Sequence, residues 1–252
     1  MIDVYYPYYQ REAKWEELRF SLRSLEKHLK EDFRVWIVGD IPPWINTDHV
    51  QHLEHFRCEG MKENTTYDAI SKLLLFIKHP DTGLNFIRMY DDIYLIADVT
   101  AEDIGIFKAM YDHTRMDKAP QGVWWDQLRR TLSTVVRKGY HGWNTETHLP
   151  ELFNKERMKW VIDIYDALNC RLLTSTLYHN TFFPSNQPVM WPDLRGIQFY
   201  NNEDGEFYTS STGDLAEKCR GKRFLNHNNA GLNDNLKKFI SGRFPQKSRF
   251  ER

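Results

Sequence analysis

The spacing of apolar residues changes twice near the start of this chain. A β-prone run over 2–6 ends at Pro7, and a second such run covers 33–38. Between these runs, large apolar residues recur at steps of three and four, which places them on one helical face. These residues are Trp15, Leu18, Leu22, Leu25 and Leu29. Strand, helix and strand in this order predict an α/β fold, in which a mostly parallel sheet is flanked by helices.

The alternation continues through the first part of the chain and then becomes irregular. A helix carrying Ile70, Leu73 and Ile77 is predicted to end before Pro80, and strands are predicted over 84–89 and 93–96. Further along, an apolar stripe favours one helix over 151–168, between loops rich in Gly, His, Trp, Asn and Pro. We expect a single domain over 1–252, regular over 1–100 and irregular α+β over 101–252.

The charge balance gives no support for a protein that grips nucleic acid. With 34 basic and 35 acidic residues, the formal net charge is −1, whereas nucleic-acid binding usually brings a basic excess. Basic residues nevertheless cluster near the end of the sequence, where they form either a solvated face or a local site for an anionic ligand. They are Lys218, Arg220, Lys222, Arg223, Lys237, Lys238, Arg243, Lys247, Arg249 and Arg252.

Several features favour a cytoplasmic protein. The first residues have neither the basic nor the apolar segment of a signal peptide, and no apolar run reaches the ~18–20 residues that span a membrane. The 3 cysteines are widely spaced, without a CxxC pair, which argues against a disulfide framework or a zinc site. The sequence therefore predicts a cytoplasmic location without a membrane span.

Two adjacent carboxylates, Asp91 and Asp92, interrupt the strands predicted over 84–89 and 93–96. Ligands of open α/β sheets collect at the carboxyl ends of strands, and buried carboxylates are costly without a cation. Carboxylate oxygens are ligands that Mg²⁺ and Mn²⁺ prefer, often together with phosphate oxygens. The pair therefore indicates a divalent-metal site for a diphosphate; the alternative is an ordinary turn, in which Asp is also common.

Six blocks of sequence follow one another in an order that is found in a known family. They are EELRFSLRSLEK at 16–27, VWIVGDIPPWIN at 35–46, MYDD at 89–92, THLP at 147–150, FLNHNN at 224–229 and FPQKSRFE at 244–251. Together they resemble the Stealth family, which includes bacterial capsular polysaccharide phosphotransferases and the eukaryotic N-acetylglucosamine-1-phosphotransferase. The first and last blocks are the most specific.

The resemblance implies a GT-A-like, Rossmann-like fold and a nucleotide-sugar donor. On that basis 1–100 is the nucleotide-sugar-binding half, and 101–252 is the acceptor and active-site half. Two positions depart from the family pattern: Gln10 falls near a family aspartate, and Tyr90 replaces an asparagine. Both departures lie where the nucleotide and the reacting phosphate are expected. Transfer of the sugar itself is therefore at least as consistent with the sequence as transfer of a sugar phosphate.

The resemblance also suggests roles for individual residues. Asp91 and Asp92 are the predicted ligands of Mn²⁺ or Mg²⁺, with Asn226 and Asn229 as additional oxygen donors. His148 is the first candidate for a general base, because imidazole titrates near neutral pH, and His179 is a weaker one. Structural alternatives, a turn or a helix-entry histidine, remain open for each.

The donor nucleotide is expected at the ends of the first strands. The residues predicted to contact it are Tyr5, Tyr6, Tyr8, Asp40, Arg19 and Arg23. The tyrosines offer faces for a nucleobase, and the arginines can clamp phosphate. Because strand side chains alternate between faces, at least one tyrosine is equally suited to the core.

The first hypothesis is a metal-dependent glycosyltransferase that moves a sugar from a nucleoside-diphosphate sugar to a hydroxyl acceptor, such as a glycan. One alternative is Stealth-like transfer of sugar-1-phosphate in capsular or cell-surface polysaccharide synthesis. Another is a non-catalytic module that binds nucleotide or carbohydrate. A nucleic-acid acceptor is a minor further alternative.

Overall fold

The computed structural model describes residues 1–56, 65–118, 121–190, 196–199, 212–229 and 231–252. The strands are β1 Ile2–Tyr8, β2 Phe33–Gly39, β3 Val50–Leu53, β4 Asn85–Arg88, β5 Ile93–Leu95, β6 Lys108–Ala109, β7 Tyr111–Asp112, β8 Trp143–Asn144, β9 Glu151–Asn154, β10 Val189–Met190, β11 Gly196–Phe199 and β12 Phe224–His227. The helices are α1 Glu17–His28, α2 Thr65–Lys78, α3 Ala101–Gly105, α4 Val123–Arg137, α5 Lys155–Ile164, α6 Ala167–Cys170, α7 Thr174–Phe182, α8 Thr212–Lys218 and α9 Asp234–Arg243, and a 3-10 helix covers His113–Lys118.

The main sheet has the strand order β3-β2-β1-β4-β9. β1 pairs in parallel with both β2 and β4, β2 pairs in parallel with β3, and only β9 runs antiparallel within this sheet. The predicted mostly parallel sheet is therefore confirmed. The strand order turns back at β1 and β4, and in open α/β sheets such a reversal opens a crevice at the carboxyl ends of the strands.

Helices cover both faces of the main sheet. On one face, Leu18, Leu22 and Leu25 of α1 pack in one core cluster with Val4 and Tyr6 of β1. On the other face, α2 packs in a second cluster that contains Tyr5 and Trp36. The period-two alternation of β1 explains why neighbouring residues of one strand belong to different clusters. The predicted α1 face is confirmed, since its leucines are buried.

A smaller sheet lies beside the main one and has the order β11-β12-β5. β12 pairs antiparallel with β5, with Asn226 opposite Ile93. This pairing brings the block at 224–229 next to the residues that follow Asp92, although the two are far apart in sequence.

The helix predicted over 151–168 is wrong at both ends. Its first residues form β9, which pairs with β4 and places Phe153 opposite Phe86. Asn154 then caps α5 by accepting a hydrogen bond from the backbone N of Arg157. The sheet edge offers β9 a full ladder of backbone hydrogen bonds, and this pairing overrides the local helical pattern. Beyond Ile164 the chain turns and resumes as the short helix α6.

No helix in the described ranges is long and apolar enough to cross a membrane.

Candidate functional site

Asp91 and Asp92 lie at the junction between the two sheets. After β4, the backbone N of Met89 still donates to the carbonyl O of Tyr5, and the chain then turns away from the main sheet. The turn closes with a hydrogen bond from the backbone N of Ile93 to the carbonyl O of Tyr90, at 3.2 Å, and β5 begins in the smaller sheet. The two carboxylates therefore follow a parallel strand, at the edge where ligands of open α/β sheets bind.

Asp92 is paired with His148. The Nε2 atom of His148 lies 2.9 Å from both carboxylate oxygens of Asp92, so the imidazole donates to the carboxylate. The pair is partly accessible, with 32% of the His148 side chain and 24% of the Asp92 side chain exposed. A proton on Nε2 leaves Nδ1 as the nitrogen that can accept one.

The backbone and two neighbours hold His148 in place. Its φ angle is 49°, in the left-handed region that few residues other than glycine adopt. Its carbonyl O accepts a hydrogen bond of 2.5 Å from Nδ2 of Asn226. Its ring stacks on that of Tyr90, with centroids 5.2 Å apart. A strained backbone conformation held by its surroundings is typical of functional positions.

The two aspartates differ in their proton affinity. Burial raises the pKa of Asp91 to about 7, and the negative charges of Asp92 and Glu17 add to this effect. Burial alone would also raise the pKa of Asp92, but the charge and hydrogen bond of His148 outweigh burial, so this pKa is lowered. Burial opposes the charged form of His148, yet Asp92 holds its pKa above the ordinary value. Negative charge therefore exceeds positive charge around Asp91.

Asn226 is the clearest addition to the aspartate pair. It is fully buried in β12, and its Nδ2 atom is occupied by His148. Its Oδ1 atom is buried and has no hydrogen-bond partner among the described residues. An orphaned acceptor of this kind is costly unless a ligand satisfies it. Asn229 is exposed in the turn after β12, and its role as a ligand stays a prediction.

Glu17 contributes to the site and was not among the predicted site residues. Its carboxylate is buried and accepts hydrogen bonds from the backbone N of Lys14 and of Trp15, at 2.9 and 2.7 Å. Glu17 is the first residue of α1, and its negative charge raises the pKa of Asp91. Two consecutive glutamates at a helix start were the available signal, since acidic residues favour the first turn.

A buried arginine lies beneath the site and was missed by sequence reasoning. Arg88 pairs with Glu151 and donates to Ser175, and its guanidinium lies over the Tyr90 ring, 5.5 Å from the centroid. Burial opposes its charge, but Tyr90 and Glu151 outweigh burial and keep its pKa above the ordinary value. The signal was an arginine between apolar residues of a buried strand. Arg88 thereby fixes the ring on which His148 stacks.

The tyrosines of β1 are core residues. Tyr5 and Tyr6 are at most 1% exposed and lie in clusters on opposite faces of the sheet. The hydroxyl of Tyr6 lies 3.0 Å from that of Ser21. Their predicted stacking on a nucleobase is therefore replaced by packing roles. Tyr8, at the carboxyl end of β1, is 6% exposed, and its contact with a nucleotide stays a prediction.

Asp40 accepts a hydrogen bond of 2.8 Å from the backbone N of Gln10. It thus joins the loops that follow β1 and β2. Asp40 therefore has a structural role between these loops, and its contact with the nucleotide stays a prediction.

Arg19 and Arg23 hold the C-terminal block at 244–251. The Nε and NH2 atoms of Arg23 donate to the two carboxylate oxygens of Glu251, at 2.7 and 2.8 Å. Arg19 pairs with Glu16, lies 3.4 Å from Glu251 and stacks over the Trp44 ring. The guanidinium groups bind carboxylates of the protein in this structure, and their contact with donor phosphate stays a prediction.

The structure does not place His179 beside Asp92. It is buried in α7, where Nδ1 lies 3.0 Å from the carbonyl O of Ser175 and the ring stacks on Phe107. Burial lowers the pKa of His179 to about 4, so it is neutral near pH 7. Its side chain is buried, at 7% exposure, and its role as a general base stays a prediction.

Two relatives in sequence are N-acetylglucosamine-1-phosphotransferases. No protein-family model matches the chain. The human N-acetylglucosamine-1-phosphotransferase subunits alpha/beta are 33% identical over 112 residues, and the mouse protein is 32% identical over the same length. The matched stretch covers 41% of this chain and 8% of either relative.

The structural relatives are glycosyltransferases. The apo structure of the bifunctional glycosyltransferase WbbM aligns with a TM-score of 0.55 and 12% identity, covering 98% of this chain and 50% of WbbM. Galactosyltransferase LgtC, solved with donor and acceptor sugar analogs, aligns with a TM-score of 0.48 and 11% identity, covering 98% of each chain. The chain thus has the fold of the GT-A glycosyltransferases, and part of it is similar in sequence to N-acetylglucosamine-1-phosphotransferase.

Proposed function

We propose that this chain is a metal-dependent glycosyltransferase that uses a nucleoside-diphosphate sugar and a hydroxyl acceptor. The observation that carries the proposal is the pairing of Asp92 with His148 beside Asp91, whose pKa is raised to about 7 by burial and by the charges of Asp92 and Glu17. This arrangement lies at the carboxyl edge of the sheet in a GT-A fold. It supplies both a place for a cation and a group that can accept a proton.

The side chains present fit a hard divalent cation. No group of three or more His, Cys, Asp or Glu residues that could hold a metal occurs in the described ranges, so protein carboxylates alone do not complete a site. The carboxylates of Asp91 and Asp92 and the orphaned Oδ1 atom of Asn226 supply oxygen donors. Mg²⁺ keeps other positions for phosphate oxygens and water. When bound, such a cation neutralises the charge that develops on the leaving diphosphate.

His148 is the proposed general base. Asp92 holds the proton on Nε2, so Nδ1 takes the proton of the acceptor hydroxyl as this oxygen attacks the anomeric carbon of the donor. Asp92 thereby orients the ring, and stacking on Tyr90 fixes its plane. General-base assistance of this kind contributes about 10²–10⁴-fold to a rate.

Transfer of sugar-1-phosphate is the second candidate, favoured by the sequence match to N-acetylglucosamine-1-phosphotransferase. Both reactions start from the same donor and differ in the bond that breaks. Sugar transfer breaks the bond between the anomeric carbon and the diphosphate oxygen of the donor and releases a nucleoside diphosphate. Sugar-phosphate transfer breaks the bond within the diphosphate and releases a nucleoside monophosphate.

The deciding experiment is a screen of nucleotide sugars with the purified chain, with and without Mn²⁺, that identifies the released nucleotide. Metal-dependent release of nucleoside diphosphate is expected. Release of nucleoside monophosphate would establish the second candidate instead. Binding without release of either nucleotide, in every acceptor mixture, would contradict both and favour a non-catalytic module.

A metal titration separates binding from turnover. Electron paramagnetic resonance is expected to show Mn²⁺ bound to the wild-type chain and weakly bound to the Asp91→Asn variant. The matched control is Asp98→Asn, which removes an exposed carboxylate paired with His28 and Lys30 and is expected to leave Mn²⁺ binding unchanged. Equal binding by all three proteins would overturn the metal assignment.

A further inference from the structure

A cavity of about 480 Å³ lies between α1 and the segment that ends α9. Its walls are Arg23, Glu26 and Lys27 on one side and residues 242–247 on the other. Ligand pockets commonly have volumes of ~300–1,000 Å³. Part of the basic cluster that the sequence shows near its end therefore lines a cavity of ligand size.

Two of the lining charges are neutralised within the protein. Arg23 is paired with Glu251 at 2.7 Å. Glu26 accepts a hydrogen bond of 3.1 Å from the backbone N of Arg249 and lies 3.6 Å from the guanidinium of that residue. These two side chains add no net charge to the cavity.

Two further cations of the wall, Lys27 and Arg243, have no carboxylate partner among the described residues. The Nζ atom of Lys27 donates to the carbonyl O of Arg243, at 3.2 Å. Arg243 likewise donates to the carbonyl O of Ile96. The Nζ atom of Lys247 donates to the O atom of Arg252, the last residue of the sequence, at 3.0 Å. A carbonyl satisfies one N–H group and leaves the positive charge uncompensated. The cavity therefore carries an excess of positive charge.

The cavity is separate from the proposed reaction site. Glu17, whose charge raises the pKa of Asp91, begins α1, and Lys27 lies near its other end. At 1.5 Å per residue, the two positions are about 15 Å apart along the helix. An ion at Asp91 and Asp92 and an anion in this cavity are therefore bound by different side chains.

We propose that this cavity is a second binding site, specific for a ligand that carries a phosphate group. Phosphate brings a charge of about −1.5 to −2 and three acceptor oxygens, which match several cations better than a single carboxylate does. Lysine and arginine are its usual partners. The wall at Gly242 is open, because a Cβ atom placed there meets no heavy atom within 4 Å.

The first test is calorimetric titration of the full chain with inorganic pyrophosphate, without divalent metal. The Lys27→Gln/Lys247→Gln variant is expected to bind about tenfold more weakly or worse, because hydrogen bonds to charged groups are lost. The matched control is Lys138→Gln/Lys238→Gln, which removes two exposed lysines outside the cavity. The control is expected to stay within about twofold of wild type, the difference that long-range surface charge makes at moderate salt.

Two further variants are added to the test. The first changes the cavity without changing the net charge, and the second changes the proposed reaction site without changing the cavity. Gly242→Phe adds a large side chain to a residue of the cavity wall without removing a charge and is expected to weaken binding. Asp92→Asn is expected to bind pyrophosphate as wild type does. Absent binding by the wild-type chain, equal losses in the lysine variant and its control, or loss of binding with Asp92→Asn would each overturn the second site.

The source of the phosphate is assigned with two probes. One is a soluble hexose phosphate, and the other is a vesicle of phosphatidylcholine with phosphatidic acid. Binding of the hexose phosphate that is lost in the Lys27→Gln/Lys247→Gln variant supports a sugar phosphate as the ligand. Vesicle binding lost in the same variant supports a lipid headgroup. Failure of both probes would overturn the site as a phosphate site.

Discussion

Two regions that resemble the same family differ in how their charges are satisfied. On the side of α1 that contacts the block at 244–251, Arg23 donates two hydrogen bonds to Glu251. Arg19 lies 3.4 Å from the same carboxylate. At the sheet edge, burial holds the pKa of Asp91 at about 7, and Oδ1 of Asn226 lacks a partner in the described chain. The charges of the first region are satisfied within the protein, whereas the second keeps a carboxyl with a raised pKa and an acceptor without a partner among the described residues.

The difference separates structural from functional motifs. Side chains that satisfy one another stabilise the fold and need nothing from outside, which is the case for the block at 244–251 and α1. A buried charge or an orphaned acceptor has a cost that a ligand removes on binding. The comparison predicts that changes in the first region affect stability and that changes in the second affect metal binding and turnover.

The largest expected effect is that of Asp92→Asn on turnover. The substitution keeps the size of the side chain but removes a metal-binding charge and the partner that orients His148. We expect kcat/KM to fall by about 10²–10³-fold or more, the range for loss of a group that stabilises developing charge. The measurement is the release of nucleotide from the donor identified in the screen.

The free energy of unfolding of Asp92→Asn is expected to stay within about 1 kcal/mol of wild type, because Asp92 and His148 are both partly exposed. A large loss of stability with unchanged turnover in the remaining folded protein would reverse the assignment of the two regions.

The next effect is that of Glu251→Gln on stability. Removing the charge leaves Arg23, which is 12% exposed, without its ionic partner. We expect the free energy of unfolding to fall by about 2 kcal/mol, below the ~3–5 kcal/mol for fully buried pairs, since some solvent reaches Arg23. Urea denaturation followed by tryptophan fluorescence measures it.

Glu217→Gln is the matched control for Glu251→Gln, because its ion pair with Arg220 is exposed on both sides. Its expected effect is below about 0.5 kcal/mol. If Glu251→Gln were equally mild, the C-terminal block would not have the stabilising role that its contacts indicate.

The sequence was sufficient for the regular part of the fold. The periodicity of α1 and the β-prone runs of β1 and β2 predicted buried elements that the structure contains. The error at β9 arose because local pattern does not show which segment completes a sheet edge. Phe153 fits a helical stripe in sequence, but in the structure it lies opposite Phe86.

The site was predicted in part, for a similar physical reason. Asp91 and Asp92 were recognisable as charges between strands, whereas the contacts of Asn226 and His148 depend on pairing between β12 and β5. The carboxylate contacts of Arg19 and Arg23 could not be predicted, because a guanidinium suits phosphate and carboxylate equally well. Only the position of Glu251 shows which of these anions is bound.

A pH series sharpens the comparison further. Glu251 is partly buried, which opposes its charge, but its bonds with Arg23 outweigh burial and hold its pKa below the ordinary value of 4.5. A lowered pKa means that the stabilisation is fully present above pH 4.5 and is lost as the pH falls through the folded-state pKa. The stability difference between wild type and Glu251→Gln is therefore expected to shrink below pH 4.5. A difference that stays constant down to pH 3 would show that charge is not its origin.

The smallest effect is expected for Arg19→Gln, and it tests directly whether this side of α1 holds donor phosphate. Arg19 is 24% exposed, pairs with Glu16 on the surface, and lies farther from Glu251 than Arg23 does. We expect stability to fall by about 0.5 kcal/mol, as for other exposed ion pairs, and the KM for the donor to stay within about twofold of wild type. Steady-state kinetics at varied donor concentration measures the KM. A donor KM raised tenfold or more with unchanged stability would place the donor phosphate at Arg19. It would contradict the conclusion that this side of α1 contributes to stability alone.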